Sequence, residues 1–183
     1  MKARWFTLYG VSRRPPPGES FEDLAMPLFD RLYNFAHWLT QNRDEAEDLI
    51  QETYAKALKG FSSYQPGTNF RAWMYRILRN TFLTSRAGLK SFEPLDETGE
   101  DIAAADEQTP ESLLLKHLDL ELVRKAIDGL PVPYREALLL CEVEEMSYQE
   151  IATTLGVPMG TVMSRLSRAR RALRESVRKL QGE

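Results

Sequence analysis

The sequence has few of the residues that cofactor-dependent or disulfide-stabilised proteins use. Its one cysteine among 183 residues, Cys141, excludes an internal disulfide and fits a reducing compartment. The two histidines, His37 and His117, have no cysteine or histidine neighbours at ligand spacing, so a structural role is expected for each. The chain also lacks a Ser/His/Asp set and a glycine-rich phosphate loop. We therefore expect no catalytic residue, no metal and no cofactor.

Long apolar runs are missing as well. The longest are only a few residues, whereas a membrane-spanning helix needs about 20. Residues 1–19 offer no apolar stretch adequate for a secretory signal, so a cytoplasmic location is expected. No segment shows the strict apolar/polar alternation of a half-buried strand. The predicted fold class is all-α.

Charges of opposite sign are segregated along the chain. Residues 53–92 contain no Asp or Glu but carry seven Lys or Arg side chains interleaved with aromatic ones. Residues 44–52 are the reverse, with five acids and no Lys or Arg. A basic surface with aromatic rings can hold phosphates and stack unpaired bases, whereas an acidic helix cannot contact the same DNA. The pattern predicts one face for nucleic acid and another for a different partner.

The first half of the chain has helical periodicity. Apolar residues recur at helical steps through residues 21–39, with a break expected near Pro27. Asn42 offers a cap for a second helix, which Gly60 ends, and a third helix runs from about residue 70 to 87. The buried stripe of the second helix is predicted to contain Ala46, Leu49, Ile50, Thr53, Tyr54 and Ala57.

Two helical domains joined by a linker account for most of the sequence. Residues 91–115 contain eight acids and no Lys or Arg, a composition that cannot bury enough apolar surface to offset the entropy of ordering. The predicted organisation is an N-terminal extension (1–19), a helical domain (20–90), a flexible acidic linker (91–115) and a second helical domain (116–183).

The second domain has the pattern of a helix-turn-helix. After interruptions at Pro131 and Pro133, Ser147 is placed to cap a short helix, and Gly156 marks a turn before a long basic helix. Base readers are expected near the N-terminal end of that helix, while later arginines hold phosphates. The candidate DNA contacts are Met159, Thr161, Ser164, Arg165, Arg168 and Arg171.

The third helix of the first domain carries a second candidate DNA surface. At 100° per residue its basic side chains share one arc, with Tyr75 on that face and Asn80 at its margin, whereas Trp73 falls on the core side. The loop before it contributes Tyr64 and Asn69, short polar and aromatic groups that an extruded base would need. The remaining candidates are Arg71, Arg76 and Arg79.

These motifs together resemble an extracytoplasmic-function (group IV) sigma factor of the sigma-70 family, a promoter-specificity subunit of bacterial RNA polymerase. DEAEDLIQET at residues 44–53 resembles the family's polymerase-docking segment, and FRAWMYRILRN at 70–80 resembles its helix for the minus-ten element. LPVPYRE at 130–136, with YQEIA at 148–152, resembles the module for the minus-thirty-five element.

The resemblance implies roles for the candidate residues. Asp44, Glu47, Asp48, Leu49, Gln51 and Glu52 would contact the β′ coiled coil of core polymerase, and the β flap is a further expected contact. Asn80 and the Tyr64 loop would contact bases at the minus-ten element, where strands separate. An anti-sigma factor is an expected partner, and no membrane insertion is expected.

Three other functions remain open from the residues. A stand-alone helix-turn-helix regulator would bind duplex DNA without polymerase. A polymerase-bound adaptor would dock through residues 44–52 without melting DNA. A nucleic-acid enzyme is the weakest alternative, because no residue set that could activate water or a metal is recognisable.

Overall fold

The computed structural model describes residues 20–87 and 120–181, and all regular structure within these ranges is helical. The first range forms α1 (Phe21–Ala25), α2 (Phe29–Thr40), α3 (Arg43–Gly60) and α4 (Phe70–Ala87). The second forms α5 (Leu120–Asp128), α6 (Val132–Glu142), α7 (Tyr148–Leu155) and α8 (Met159–Gln181). None of these helices is long and apolar enough to cross a bilayer. The all-α prediction is confirmed, while the extension 1–19 and the linker 91–115 lie outside the described residues.

In the N-terminal module, α1 to α4, local side chains set the helix boundaries. A 3-10 turn, Met26–Leu28, contains Pro27 and makes the predicted break between α1 and α2. Asn42 Oδ1 accepts hydrogen bonds from the backbone N–H groups of Asp44 (2.9 Å) and Glu45 (3.1 Å), so it caps α3 as expected. The bounds of α4 agree with the sequence prediction.

The core of this module is rich in aromatic rings. The predicted stripe of α3 is buried at all six positions. Phe21 meets Tyr54, Phe61 and Phe70 edge-on with centroid distances of 5.4–6.2 Å, and Tyr54 donates a hydrogen bond to the carbonyl of Ala25 at 2.8 Å. These contacts fix α1, α3 and the start of α4 relative to one another.

The C-terminal module, α5 to α8, contains the helix-turn-helix. Ser147 and Glu150 form the predicted capping box of α7, and Gly156 takes the left-handed conformation (φ 67°) that ends it. Val162, Leu166, Ala169 and Leu173 of α8 are buried. The predicted interruption is present, because α5 ends at Asp128 and α6 begins at Val132. Pro131 is the N-cap of α6 and Pro133 lies in its first turn, where its missing N–H costs no hydrogen bond.

The two modules pack against each other. Helix α4 contacts α7 and α2 contacts α6, and one hydrophobic cluster includes Leu78 of the first module with Ile151 and Leu155 of the second. Arg135 spans the boundary by donating to the carbonyls of Trp38 (3.0 Å), Asp128 (2.6 Å) and Leu130 (2.8 Å). The described residues therefore form a closed arrangement.

Candidate nucleic-acid and protein interfaces

The acidic face of α3 is largely open to solvent. Asp44, Asp48, Gln51 and Glu52 are exposed and Glu47 is half-buried, so five of the six predicted docking residues reach the surface. Leu49 does not: only 6% of it is exposed, because it belongs to the stripe that packs toward α4. Leu49 nevertheless lines a surface depression together with Asp48 and Glu52, so its contact with a partner remains a prediction.

Nearby basic residues partly neutralise this face. Arg86 of α4 pairs with Glu45 at 2.6 Å, Lys56 with Glu52 at 2.8 Å and Arg43 with Glu47 at 3.0 Å. All three pairs are at least one-third exposed on each side, so each contributes little to stability. A docking partner can displace them at low cost.

The basic face of α4 is divided between solvent and the second module. Arg76 and Asn80 are exposed, whereas Arg71 and Arg79 are half-buried. Tyr75 is fully buried, with its ring edge-on to Phe35 at 5.2 Å. The expectation that Tyr75 lies on the exposed basic face is wrong here, because packing against α2 and the second module covers that part of the arc.

Three carboxylates of the C-terminal module face this part of the N-terminal module. Arg79 Nε donates to Glu136 Oε2 at 3.0 Å, and Arg31 Nε donates to Glu144 Oε2 at 2.9 Å. Arg71 donates to the Glu144 carbonyl at 2.8 Å and lies 3.9 Å from a Glu150 oxygen.

The predicted base contact Asn69 is also engaged. Its Nδ2 donates to Glu150, and its Oδ1 accepts from the backbone N–H of Ala72 at 3.0 Å at the start of α4. Asn69 and Arg71 both contact Glu150, and Arg79 contacts Glu136. Three of the predicted minus-ten residues thus contact protein carboxylates in the closed arrangement.

Glu136 also lies beside α8, the second helix of the helix-turn-helix, which we call the recognition helix. Burial raises the pKa of its carboxyl, while the positive charges of Arg79 and Arg165 act in the opposite sense. Arg165 is half-buried, and its Nη1 atom is inaccessible to solvent. Part of the Arg165 guanidinium is therefore buried beside Glu136, and its role in reading a base remains a prediction.

The loop before α4 is ordered by its aromatic residues. The Tyr64 ring stacks on Phe61 with a centroid distance of 5.9 Å and an interplanar angle of 9°. Its hydroxyl donates to the Thr68 carbonyl at 2.6 Å. Tyr64 is half-buried, so one part of it remains accessible beside α4.

A cavity of about 350 Å³ lies between the end of α3 and the outer side of α4. Asn80, Trp73, Lys56 and Ser63 line it, and Lys56 Nζ donates to Thr81 Oγ1 at 3.3 Å. Sequence reasoning placed Trp73 in the core and did not select Lys56. Trp73 and Asn80 are about 20° apart on a helical wheel, so the position of Asn80 at the margin of the basic face could have indicated that Trp73 borders this face.

The predicted base-contacting residues of the recognition helix α8 differ in solvent exposure. Ser164 and Arg171 are exposed, whereas Thr161 and Arg168 are half-buried. Arg171 pairs with Glu175 at 3.1 Å, and both side chains are more than half exposed. Within residues 20–87 and 120–181, no group of three His, Cys, Asp or Glu side chains could hold a metal ion.

Known families match both modules. Residues 24–91 match the family model "Sigma-70 region 2", and residues 120–173 match "Sigma-70, region 4". The ECF RNA polymerase sigma factor SigE of Mycolicibacterium smegmatis is 39% identical over 166 residues, 90% of this chain and 64% of that protein. EcfG of Rhodopseudomonas palustris is 37% identical over 160 residues, 86% of this chain and 85% of the relative.

Solved structures agree with these matches. The sigma factor RpoE of Bartonella quintana, crystallised with the anti-sigma factor NepR, has a TM-score of 0.64 and 31% identity over 86% of this chain and 98% of that one. Two helical modules with sigma-70 regions 2 and 4 in this order define a sigma factor of the sigma-70 type. The chain belongs to the ECF RNA polymerase sigma factors.

Proposed function

We propose that this chain is an alternative sigma factor that binds core RNA polymerase, directs it to specific promoters and assists strand opening at transcription initiation. One observation carries the proposal: a single module, α1 to α4, has an exposed acidic face on α3 and a basic, aromatic-lined surface on α4. The acidic face suits a positively charged protein partner and the basic one suits DNA. The chain supplies binding energy and positions DNA, and the polymerase supplies the chemistry.

The cavity beside α4 supports the role in strand opening. Its volume of about 350 Å³ is large enough for a nucleobase. We expect the Asn80 amide to pair with a base edge and Trp73 to contact the face of the base. Lys56 also lines the cavity, and we expect it to contact a phosphate. Binding an extruded base in this way offsets its unstacking from the duplex.

The closed arrangement sets a condition on promoter binding. Arg79, Arg71 and Asn69 contact Glu136, Glu144 or Glu150, and DNA phosphates would have to replace those acids. We infer that docking on core polymerase separates the modules and frees these side chains. An anti-sigma factor is also proposed as a partner, since the similar RpoE of Bartonella quintana was crystallised with one.

In vitro transcription with purified core polymerase tests the proposed function. The chain is expected to direct initiation from selected promoters, with permanganate-reactive thymines near the start site. A stand-alone regulator would bind duplex DNA without polymerase, and an adaptor would bind polymerase without opening DNA. Either result, with no promoter-dependent transcript, would refute the proposal.

A further inference from the structure

Large apolar side chains are rarely exposed in the described part of the chain. Four stand out: Val143, Met159, Met163 and Leu180. Two of them lie in the first two turns of α8, with 49% of Met159 and 38% of Met163 exposed. Their i, i+4 spacing places them one above the other on a single face of the helix.

The same face has little else that could read a base edge. Part of the Arg165 guanidinium is buried beside Glu136, and the exposed neighbours are Gly160 and the short polar residues Ser164 and Ser167. A Cβ at Gly160 would meet nothing within 4 Å, so the surface next to Met159 is open. The N-terminal turns of a recognition helix are the part that enters the major groove.

The charges around the two methionines indicate what occupies this face. Farther along α8 the exposed side chains include Arg171, Arg174 and Arg178, which suit a phosphate backbone. Two exposed methionines at the start of a basic DNA-binding helix can be buried only against an apolar group of the DNA. On the floor of the major groove that partner is the C5-methyl group of thymine.

We propose that Met159 and Met163 determine upstream-element specificity by packing against thymine methyl groups. The inference rests on the proposed function, because it names which groups of the duplex α8 reads. Methionine is unbranched and polarisable, so it fits a methyl group without a fixed hydrogen-bond geometry. Readout by α8 is then partly apolar, with Ser164 and Arg168 as adjacent polar contacts.

The test uses full-length chain bound to core polymerase. Upstream elements are first selected by this complex from duplex DNA with a randomised upstream segment. Each thymine of the selected element is then replaced singly by deoxyuridine, which removes only the methyl group. We expect at least one replacement to weaken binding about fourfold, the equivalent of about 0.8 kcal/mol for one buried methyl.

Variants connect that effect to the two side chains. Met159→Ala or Met163→Ala should weaken binding to the thymine element and abolish sensitivity to deoxyuridine at one position. Met163→Leu, which stays apolar, should retain most of that sensitivity. Val143→Ala is the matched control, because Val143 is 52% exposed and lies outside α8, and it should leave the sensitivity unchanged.

Three further outcomes have separate meanings. If no deoxyuridine replacement weakens binding although base-pair changes in the element do, methyl readout is refuted and the proposed function stands. If base-pair changes have no effect either, upstream recognition itself fails. A loss of polymerase binding in Met163→Ala, with methyl sensitivity intact, would assign the face to a protein contact and overturn the inference.

Discussion

Arg79 and Glu136 join the two modules through a shielded ion pair. Arg79 Nε donates to Glu136 Oε2 at 3.0 Å, and the side chains are only 15% and 1% exposed. Arg79 is a predicted minus-ten residue, and Glu136 also lies beside Arg165 of the recognition helix. One carboxylate therefore acts on a residue of each DNA-binding helix, which links the two surfaces in the closed arrangement.

Arg31→Gln is expected to favour separation of the modules. Arg31 pairs with Glu144 at 2.9 Å across the boundary, and it belongs to neither predicted DNA surface. Because the Arg31 side chain is 44% exposed, the pair itself contributes about 1 kcal/mol. Its loss also leaves the Glu144 carboxylate, which is 3% exposed, without this partner, so we expect a shift toward the open form of at least about fivefold. Small-angle scattering should show a larger radius of gyration.

The control for Arg31→Gln is Arg43→Gln. The Arg43–Glu47 pair lies within α3, so its removal should leave the radius of gyration unchanged. Equal expansion in both variants would show that the Arg31 contact does not hold the modules together.

Glu136 is expected to make stability depend on pH. Burial raises the pKa of its carboxyl above the ordinary 4.5, so the folded protein holds this proton more tightly than the unfolded chain. The carboxyl's contribution to stability is thus greatest below pH 4.5 and is lost as pH rises through the raised pKa. The free energy of unfolding of the wild type relative to Glu136→Gln should therefore decrease from pH 5 to pH 8.

Urea unfolding at several pH values measures this difference. Glu175→Gln, a change at a side chain that is 56% exposed, is the matched control for replacing a glutamate by glutamine. If the unfolding free energy of the wild type relative to Glu136→Gln instead increases with pH, the positive charges of Arg79 and Arg165 affect the carboxyl pKa more than burial does.

Local structure was predictable from the sequence wherever side chains near one another in the chain determine it. The cap at Asn42, the turn at Gly156 and the buried stripe of α3 follow from residue type and helical periodicity. The bounds of α4 were also predictable, because the turn residues before it and the apolar periodicity within it indicate the same helix.

The site was predicted less completely, because long-range packing decides which part of a face is exposed. A helical wheel placed Tyr75 with the basic residues, but it could not show that α2 and the second module cover that arc. Glu136 and Glu144 lie 57 and 113 positions from their arginine partners, and no sequence period relates them. The partial burial of Arg165 has the same origin.

The acidic face of α3 is expected to bind core polymerase. Reversing Asp48→Lys together with Glu52→Lys should abolish co-purification, because both residues are exposed and like charges would then meet. Surface changes of this kind alter fold stability by about 0.5 kcal/mol, so circular dichroism should remain normal. Glu22→Lys with Glu145→Lys is the matched reversal at exposed positions elsewhere, and it should leave polymerase binding intact.

Arg178 and Arg165 are expected to act differently. Arg178 is exposed near the end of α8, so Arg178→Ala should weaken binding to duplex DNA of every sequence. The slope of the logarithm of the binding constant against the logarithm of salt concentration should decrease in magnitude by about one unit. Arg165→Ala should instead lower the stability of the C-terminal module, because its guanidinium lies beside buried Glu136. Thermal unfolding and salt-dependent DNA binding separate the two effects. Relaxed preference at one base pair in Arg165→Ala would instead support the predicted contact of Arg165 with a base.

Asn80→Ala is expected to impair strand opening without weakening polymerase binding. Asn80 lines the cavity beside α4 and lies outside the contacts between the modules, so its loss removes a contact with an extruded base only. Contacts with one flipped base are worth about 1–3 kcal/mol, enough to lower open complex roughly five- to a hundredfold, as measured by permanganate reactivity of thymines. A pre-melted template should restore part of the loss, because unpairing no longer opposes binding. Thr84→Ala, a change at an exposed position on the same cavity wall, is the control. A normal permanganate pattern in Asn80→Ala would mean that this module tethers DNA without capturing a base.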